Sequence, residues 1–242
     1  PHKQTAWGES VVEAMLYPLW DLKLKVGHSV RSVDDCVREA RADMTIRTAL
    51  LEARFIAGDV LLFHDMVRRF GAEVVEGTAP AFTEAKLQER ETRVRRAGTS
   101  RYLVEPNVKD GKGGLRDLNT LFWIAKYAYR VNDVRELVAA GLFDRKELLM
   151  FQRSEEFLWR VRCWLHFITG RSEERLSFDL QRQVAAAIGY AGRSGQAPVE
   201  RFMKAYFLVA KDVGDLTAIV CAALEARQQK RRASLSRLLG SF

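Results

Sequence analysis

A glycine-rich and highly charged segment spans residues 105–117, with the sequence Glu-Pro-Asn-Val-Lys-Asp-Gly-Lys-Gly-Gly-Leu-Arg-Asp. It combines three glycines with two lysines, one arginine and three carboxylates. Loops that bind phosphate have this composition, because glycine lets backbone N–H groups approach an anion while basic side chains neutralise its charge. The same residues also suit a solvated turn in which Asp117 caps the following helix. The segment is therefore a candidate anion-binding loop with a purely structural alternative.

Three segments of the chain resemble the bacterial PII uridylyltransferase/uridylyl-removing enzymes. Residues 105–121 resemble the signature of that family, and residues 19–31 and 170–181 resemble two further parts of it. A shorter pattern, Lys-x-Gly-x-Gly-Gly-Leu-Arg-Asp, is also similar to glutamine synthetase adenylyltransferases of the same nucleotidyltransferase superfamily. The Glu-Pro-Asn-Val that precedes this pattern favours the uridylyltransferases.

The resemblance implies a reaction and its partners. Enzymes of this family use UTP and Mg²⁺ to attach UMP to a tyrosine of the PII signal protein, and a separate hydrolase domain removes the UMP. We therefore expect UTP and PII as partners, glutamine as an effector acting through domains outside this chain, and a cytoplasmic location. A non-catalytic helical module that binds PII is the alternative from a different functional class.

The resemblance also implies roles for the residues of the loop. The cations would face the triphosphate or the acidic rim of the site, because preorganised charge stabilises developing phosphate charge. The glycines would allow the backbone to approach the nucleotide, and the last carboxylate would orient the cations or cap the helix. The candidate nucleotide-binding residues are Lys109, Gly111, Lys112, Gly113, Gly114, Arg116 and Asp117.

The metal-binding motif of the family, Gly-Ser-x-x-Asp-x-Asp, does not occur in the 242 residues. In the family, its two carboxylates hold the metal ions for nucleotidyl transfer. The metal ligands are thus unknown, and no catalytic residue is assigned. Enzymes of the superfamily often have a third acidic metal ligand beside the two motif carboxylates, and Asp43 or Glu52 is considered for this position. We expect an internal piece of a longer enzyme, lying between this motif and the hydrolase and glutamine-sensing domains, and inactive in transfer by itself.

The composition narrows the classes of partner. No apolar run approaches the roughly 20 residues that a membrane-spanning helix needs, so no membrane association is expected. A formal charge of +8 favours an anionic partner. The basic residues are spread among 31 acidic ones, and we predict no nucleic-acid binding. The basic run Arg90–Arg96 is predicted to be a solvated helix face.

The three cysteines, Cys36, Cys163 and Cys221, lack the spacing of a zinc site and are predicted to be buried thiols. The charged turn after Gly170 is predicted to be an exposed cluster of ion pairs in which Asp179 caps the next helix.

The periodicity of apolar residues predicts a mainly helical chain. We expect a remnant of a small α/β nucleotidyltransferase domain over residues 1–76 and an α-helical bundle domain over residues 77–242. Residues 25–31 are the one expected strand, and a single helix is expected from Ser32 to Ala57. Ser32 is predicted to cap this helix in a capping box with Asp35, and Asp59 is predicted to cap the next helix. Trp159 and Trp164 are predicted to anchor the helical core. The other main helices are expected at 9–21, 59–70, 83–96, from 117, at 144–169 and at 198–227.

Overall fold

The computed structural model describes residues 5–97, 104–193 and 195–239. Helix accounts for 71% of the described residues, which confirms the predicted mainly helical fold. No β-strand forms in the described ranges, which contain the isolated bridges Asn107 to Arg175 and Arg193 to Gln196. The chain divides into two compact units, Pro1–Thr78 and Ala79–Phe242. The division lies two residues beyond the predicted domain boundary, and the identity of the two domains stays a prediction.

The first unit is built from short helices with side-chain caps. The capping box predicted at Ser32 is present, since Ser32 and Asp35 each bind the other's backbone N–H group. The Asp59 carboxylate likewise accepts from the N–H groups of Leu61 and Leu62, as expected. The elements are α1 (Ala6–Asp21), α2 (Val33–Ala42), α3 (Met44–Leu51), α4 (Val60–Phe70) and a π-helical turn (Gly71–Val75).

The single helix predicted from Ser32 to Ala57 is wrong, because the chain breaks at Asp43. This residue has an extended backbone, with φ −123° and ψ 123°, and its carboxylate accepts from the N–H groups of Thr45 and Ile46 to start α3. The buried Arg47 guanidinium donates to the carbonyl oxygens of Ala40 and Arg41 at 2.7 and 2.9 Å. These are carbonyls that the end of a helix leaves without partners. A cap and an arginine therefore stabilise the break.

The strand predicted at residues 25–31 is also wrong. These residues are irregular, and Leu24 and Val30 on either side of Val26 are 52% and 65% exposed. An isolated extended segment gains little without a partner to satisfy its N–H and C=O groups. In the described part of the first unit, helices are the packed elements, and no second strand is present to complete a sheet.

The second unit is a helical assembly that holds the candidate loop. The boundaries predicted for the helix at 144–169 are confirmed, since a capping box of Asp144 and Glu147 starts this helix and Gly170, at φ 64°, ends it. The last helix extends beyond the predicted end at residue 227. The elements are α5 (Ala79–Ala97), α6 (Leu115–Tyr129), α7 (Glu136–Ala139), α8 (Arg145–Thr169), α9 (Phe178–Ile188) and α10 (Pro198–Leu239).

The core of the second unit lies among α6, α8, α9 and α10. Phe82 of α5 stacks on Tyr127 of α6 with ring centroids 3.9 Å apart, which fixes α5 against this core. Trp164 packs against the core as predicted. The prediction for Trp159 is wrong, because its side chain is 43% exposed and the Arg162 guanidinium lies 5.2 Å from its ring centre. An arginine can cover an exposed ring in this way.

The cysteines are all free thiols, but they differ in exposure. Cys163 is exposed, so the prediction of a buried thiol is wrong for this residue. Cys36 and Cys221 are half-buried, and burial raises the pKa of both thiols. None of the described helices combines the length and the hydropathy needed to cross a bilayer.

Candidate functional site

The signature loop, residues 105–117, pairs with the turn between α8 and α9. The Val108 N–H group donates to the Glu174 carbonyl at 2.8 Å, and the Leu176 N–H group donates to the Pro106 carbonyl at 2.9 Å. Asn107 and Arg175 form the bridge between the two segments. Two of the segments that carry the family resemblance thus lie side by side.

The Glu105 carboxylate ties the start of the loop to the start of α9. Its Oε2 atom accepts from Arg175 at 2.6 Å, and its Oε1 atom accepts from the Phe178 N–H group at 3.0 Å. That N–H group belongs to the first turn of α9, where backbone donors lack partners within the helix. The Phe178 N–H group, together with Arg175, outweighs burial and lowers the pKa of Glu105.

The Glu174 carboxylate, on the other side of the loop, is surrounded by the side chains of Arg162, Lys109 and His166. The Arg162 guanidinium binds its carboxylate through Nε at 3.0 Å and Nη2 at 2.8 Å. Lys109 Nζ and His166 Nε2 lie 3.8 and 3.6 Å from Oε1. Burial favours the neutral acid, but the bonds from Arg162 and the charges of Lys109 and His166 outweigh it, so the pKa of Glu174 is lowered.

The prediction of an exposed ion-pair cluster therefore fails at Glu174, whose side chain is 17% exposed. It holds for Arg171, which pairs with Glu173 and is 74% exposed. The predicted cap at Asp179 is also wrong. Ser177 occupies the N-cap position of α9, and Asp179 lies in the first turn. The shift by two residues places the Phe178 N–H group opposite Glu105.

Seven backbone N–H groups of the loop are used within the protein. The Asn107 side chain accepts from two successive N–H groups in an Asx-type turn, at 3.0 and 2.6 Å. Carbonyl oxygens of the loop accept most of the others. An anion that approaches the loop thus meets side chains, because these N–H groups already have acceptors. The N–H groups in question belong to Lys109, Asp110, Gly111, Gly113, Gly114, Leu115 and Arg116.

The glycines permit close backbone contacts. Gly113 has a φ of 80°, and a Cβ atom there would lie 2.5 Å from the Ala210 carbonyl oxygen of α10. A Cβ atom on Gly114 would lie 2.6 Å from the Val108 carbonyl oxygen, and one on Gly111 would meet the Asn107 carbonyl oxygen. These contacts account for the three glycines through packing alone. Their part in nucleotide binding stays a prediction.

Asp117 is buried, with 1% of its surface exposed, and it joins three parts of the unit. Its Oδ2 atom accepts from Arg90 Nη2 at 2.8 Å and from the Gly113 N–H group at 3.0 Å. Its Oδ1 atom accepts from Arg93 Nη2 at 2.8 Å. Asp117 therefore connects α5, the signature loop and the first turn of α6.

The prediction of a solvated basic helix face is wrong for Arg90 and Arg93, whose side chains are 20% and 14% exposed. Sequence reasoning missed their pairing with Asp117. One signal was available, since residues three apart lie on the same face of a helix and two cations there need an anionic partner when they are buried. The identity of that partner, more than 20 residues away, was not visible in the sequence.

The three predicted cations lie on the accessible part of the loop. Lys109 and Arg116 are 33% and 34% exposed, and each is near one carboxylate, Glu174 at 3.8 Å and Asp110 at 3.6 Å. Lys112 is partly exposed, and no ion pair of its side chain is found among the described residues. The Arg116 N–H group donates to the Lys109 carbonyl at 2.9 Å, so these two residues are adjacent. These side chains are therefore accessible to solvent, and their binding of a nucleotide stays a prediction.

Two of the cavities lined by described residues do not include the loop cations. One, of about 10 Å³, adjoins Arg90, Asp117, Thr120 and Cys221 and is far below the 300–1,000 Å³ typical of small-molecule sites. The other, of about 410 Å³, is an open groove on one face of α10. The residues along that groove are Glu200, Met203, Lys204, Phe207, Leu208 and Lys211.

The described residues contain no group of three His, Cys, Asp or Glu side chains suited to a metal ion. Asp43, considered as a third metal ligand, has its carboxylate occupied as the cap of α3. No cluster of side chains that could hold Mg²⁺ by itself is therefore found in the described ranges.

The sequence of the chain matches one family model and several known enzymes. The model of the family described as GlnD PII-uridylyltransferase matches residues 81–221, which include the whole signature loop. A bifunctional uridylyltransferase/uridylyl-removing enzyme of Rhodopseudomonas palustris is 63% identical over 239 residues. Enzymes of the same name from Bradyrhizobium sp. (strain ORS 278) and Nitrobacter hamburgensis are 64% identical. The alignments cover 99% of this chain and 26% of each relative. No solved structure matches the chain.

Proposed function

The chain belongs to the GlnD PII-uridylyltransferase family, and from this we propose that it is the part of a uridylyltransferase that presents cations to the phosphates of UTP. The proposed reaction moves UMP from UTP to a tyrosine of the PII protein, in the cytoplasm and under the control of glutamine sensed outside this chain. The observation that carries the proposal is the signature loop, whose backbone is fixed on both sides while Lys112 and Arg116 stay accessible.

The chemistry of the reaction requires such cations. Attack on the α-phosphate builds charge on the phosphate oxygens and on the leaving pyrophosphate, and fixed positive charge lowers the barrier. Lys112 would supply a compact charge, and the planar guanidinium of Arg116 would supply parallel donors. Neither side chain breaks or forms a bond. Their proposed role is to bind and neutralise phosphate.

We place the Mg²⁺ ligands outside the described residues, because the described carboxylates do not fit a site for that ion. For the same reason we assign no catalytic residue and propose that the isolated chain does not transfer UMP. The lack of a metal cluster in the described ranges also favours a second candidate function, a helical module that binds PII without catalysis.

A segment exchange tests the proposal. In the Bradyrhizobium sp. enzyme, which is 64% identical over 239 residues, the matching segment would be replaced by this chain. We expect the chimera to label PII with UMP from UTP in the presence of Mg²⁺, and the isolated chain to leave PII unlabelled. The uridylyl-removing activity of the chimera serves as the control for folding.

Two outcomes contradict the proposal. A chimera that removes UMP normally but transfers none shows that this chain does not serve the transferase. Binding of PII by the isolated chain, together with such a chimera, supports the non-catalytic module. Labelling of PII by the isolated chain contradicts the placement of the metal ligands.

A further inference from the structure

Arg90 and Arg93 of α5 reach the signature loop through one carboxylate. Arg90 shares Asp117 Oδ2 with the Gly113 N–H group, at 2.8 and 3.0 Å, while Arg93 holds Oδ1 at 2.8 Å. The Arg93 guanidinium also lies 3.5 Å from the Thr120 hydroxyl. The orientation of this carboxylate, and with it the position of the Gly113 N–H group, depends on both arginines.

Gly113 transmits this position to the preceding residue, Lys112. Its backbone is confined on one side by Asp117 and on the other by the Ala210 backbone of α10, where a Cβ atom would not fit. With φ at 80°, Gly113 sets the direction of the chain at Lys112. A shift of the Asp117 carboxylate therefore moves the turn that carries Lys112.

A buried group of two arginines and one aspartate is expected to add little net stability to the fold. Desolvation of such charges cancels much of their attraction, whereas their geometry is fixed closely by direction-dependent bonds. The arrangement has one more cation than anion, and the Nε atoms of Arg90 and Arg93 are buried without a hydrogen-bond partner among the described residues. Apolar side chains could fill the same space without the cost of desolvating charges. The retained charges fit a role in holding the loop in one conformation.

We propose that Arg90 and Arg93 are positioning residues for the signature loop, acting through Asp117 and Gly113 to fix the direction in which Lys112 meets phosphate. The inference rests on the proposed function, because it assigns Lys112 to the nucleotide. It adds two residues on a different helix whose effect on the reaction passes entirely through the loop. A displacement of about 1 Å at a positioned group can cost about a hundredfold in rate.

A double-mutant cycle in the chimeric enzyme tests the inference. The variants are Arg93→Gln, Lys112→Ala and the combination, with kcat and KM for UTP measured in the transfer of UMP to PII. We expect Arg93→Gln to lower kcat by about ten- to a hundredfold, and the double variant to be no slower than Lys112→Ala. Non-additive effects are the signature of one residue acting through the other.

Two controls separate positioning from folding. Arg95→Gln removes a cation from the same helix whose side chain is 71% exposed and pairs with Glu91, and it should leave kcat unchanged. Leu158→Ala leaves a cavity at a fully buried position and serves as a destabilised reference. This variant should also keep the kcat of the parent enzyme when it is assayed below its unfolding midpoint. If Arg93→Gln prevents folding, Arg93→Lys replaces it in the same cycle, with a smaller expected loss.

The outcomes are distinct. Equal rates for Arg93→Gln and Arg95→Gln overturn the inference, as do effects of Arg93→Gln and Lys112→Ala that multiply in the double variant. A loss of kcat in Leu158→Ala as large as that in Arg93→Gln overturns it as well. If Lys112→Ala is itself neutral, the phosphate assignment of the proposed function fails and the inference fails with it.

Discussion

Arg93 and Asp117 lie 24 residues apart in the sequence, yet Arg93 Nη2 is 2.8 Å from Asp117 Oδ1. The same carboxylate binds Arg90 and the Gly113 N–H group. A single buried anion therefore holds α5, the signature loop and α6 together. The attachment of these three parts to one another therefore depends in part on one charge.

Replacement of Asp117 by alanine should destabilise the isolated chain by about 3–5 kcal/mol, because it leaves two buried arginines without their anion. Urea denaturation followed by circular dichroism measures this change. Glu91→Ala is the matched control, since Glu91 forms an ion pair on the same helix with side chains 64% and 71% exposed. Removal of such a pair costs about 0–1 kcal/mol. Equal effects of the two substitutions would show that Asp117 is not a buried anchor.

Two glycines with similar backbones separate conformational strain from steric fit. Gly113 and Gly141 have φ values of 80° and 71°, but only Gly113 faces the Ala210 backbone, whereas the space around Gly141 is open. Alanine should cost about 1 kcal/mol at either position for the left-handed conformation. At Gly113 we expect about 1–3 kcal/mol more from forced displacement of the backbone. Equal free energies of unfolding for the two variants would contradict the contact with α10.

Acid should weaken the contacts between the signature loop and the turn before α9. The pKa values of Glu105 and Glu174 are lowered below the usual 4.5, so each carboxylate stabilises the fold above pH 4.5. This contribution is lost as the pH falls from 4.5 through the folded-state pKa. Glu105→Gln and Glu174→Gln should therefore flatten the dependence of unfolding free energy on pH in this range.

Glu155 is a control, because its contribution to stability should change with pH in the opposite direction. Burial raises its pKa, so its ionisation destabilises the fold as the pH rises above 4.5. Glu155→Gln should gain stability relative to the parent chain over that rise. If Glu174→Gln also gained stability relative to the parent chain as the pH rises above 4.5, Arg162 would not be lowering the pKa of Glu174.

The features that could be predicted from sequence depend on residues close to one another in the chain. The caps at Ser32 and Asp59 and the start of α8 at Asp144 follow from side chains that act within four residues. The end of α8 follows from Gly170, whose backbone adopts a positive φ without strain. Helical periodicity likewise predicts the helices at 144–169 and 198–227. Local physics therefore predicted most of the helices and the existence of the loop.

The features that were missed depend on distant partners. Helical periodicity continues through Asp43, and the arginine that stabilises the break lies seven residues from the carbonyl of Ala40 that it binds. The composition of the loop indicated affinity for anions, but not that Asn107 and the loop's own carbonyls use its N–H groups. The burial of Arg90 against Asp117 required knowledge of the fold.

Alanine variants in the chimeric enzyme test whether the accessible cations of the signature loop meet phosphate during transfer. We expect Lys112→Ala and Arg116→Ala each to lower the rate of UMP transfer to PII by about one to three powers of ten, or about 1.4–4 kcal/mol. Lys146→Ala, which removes an exposed cation at the start of α8, should transfer UMP at the parent rate. Uridylyl removal and the unfolding midpoint should stay unchanged in all three variants. Transfer at the parent rate by both loop variants would show that these cations do not meet phosphate and that the loop is a structural turn.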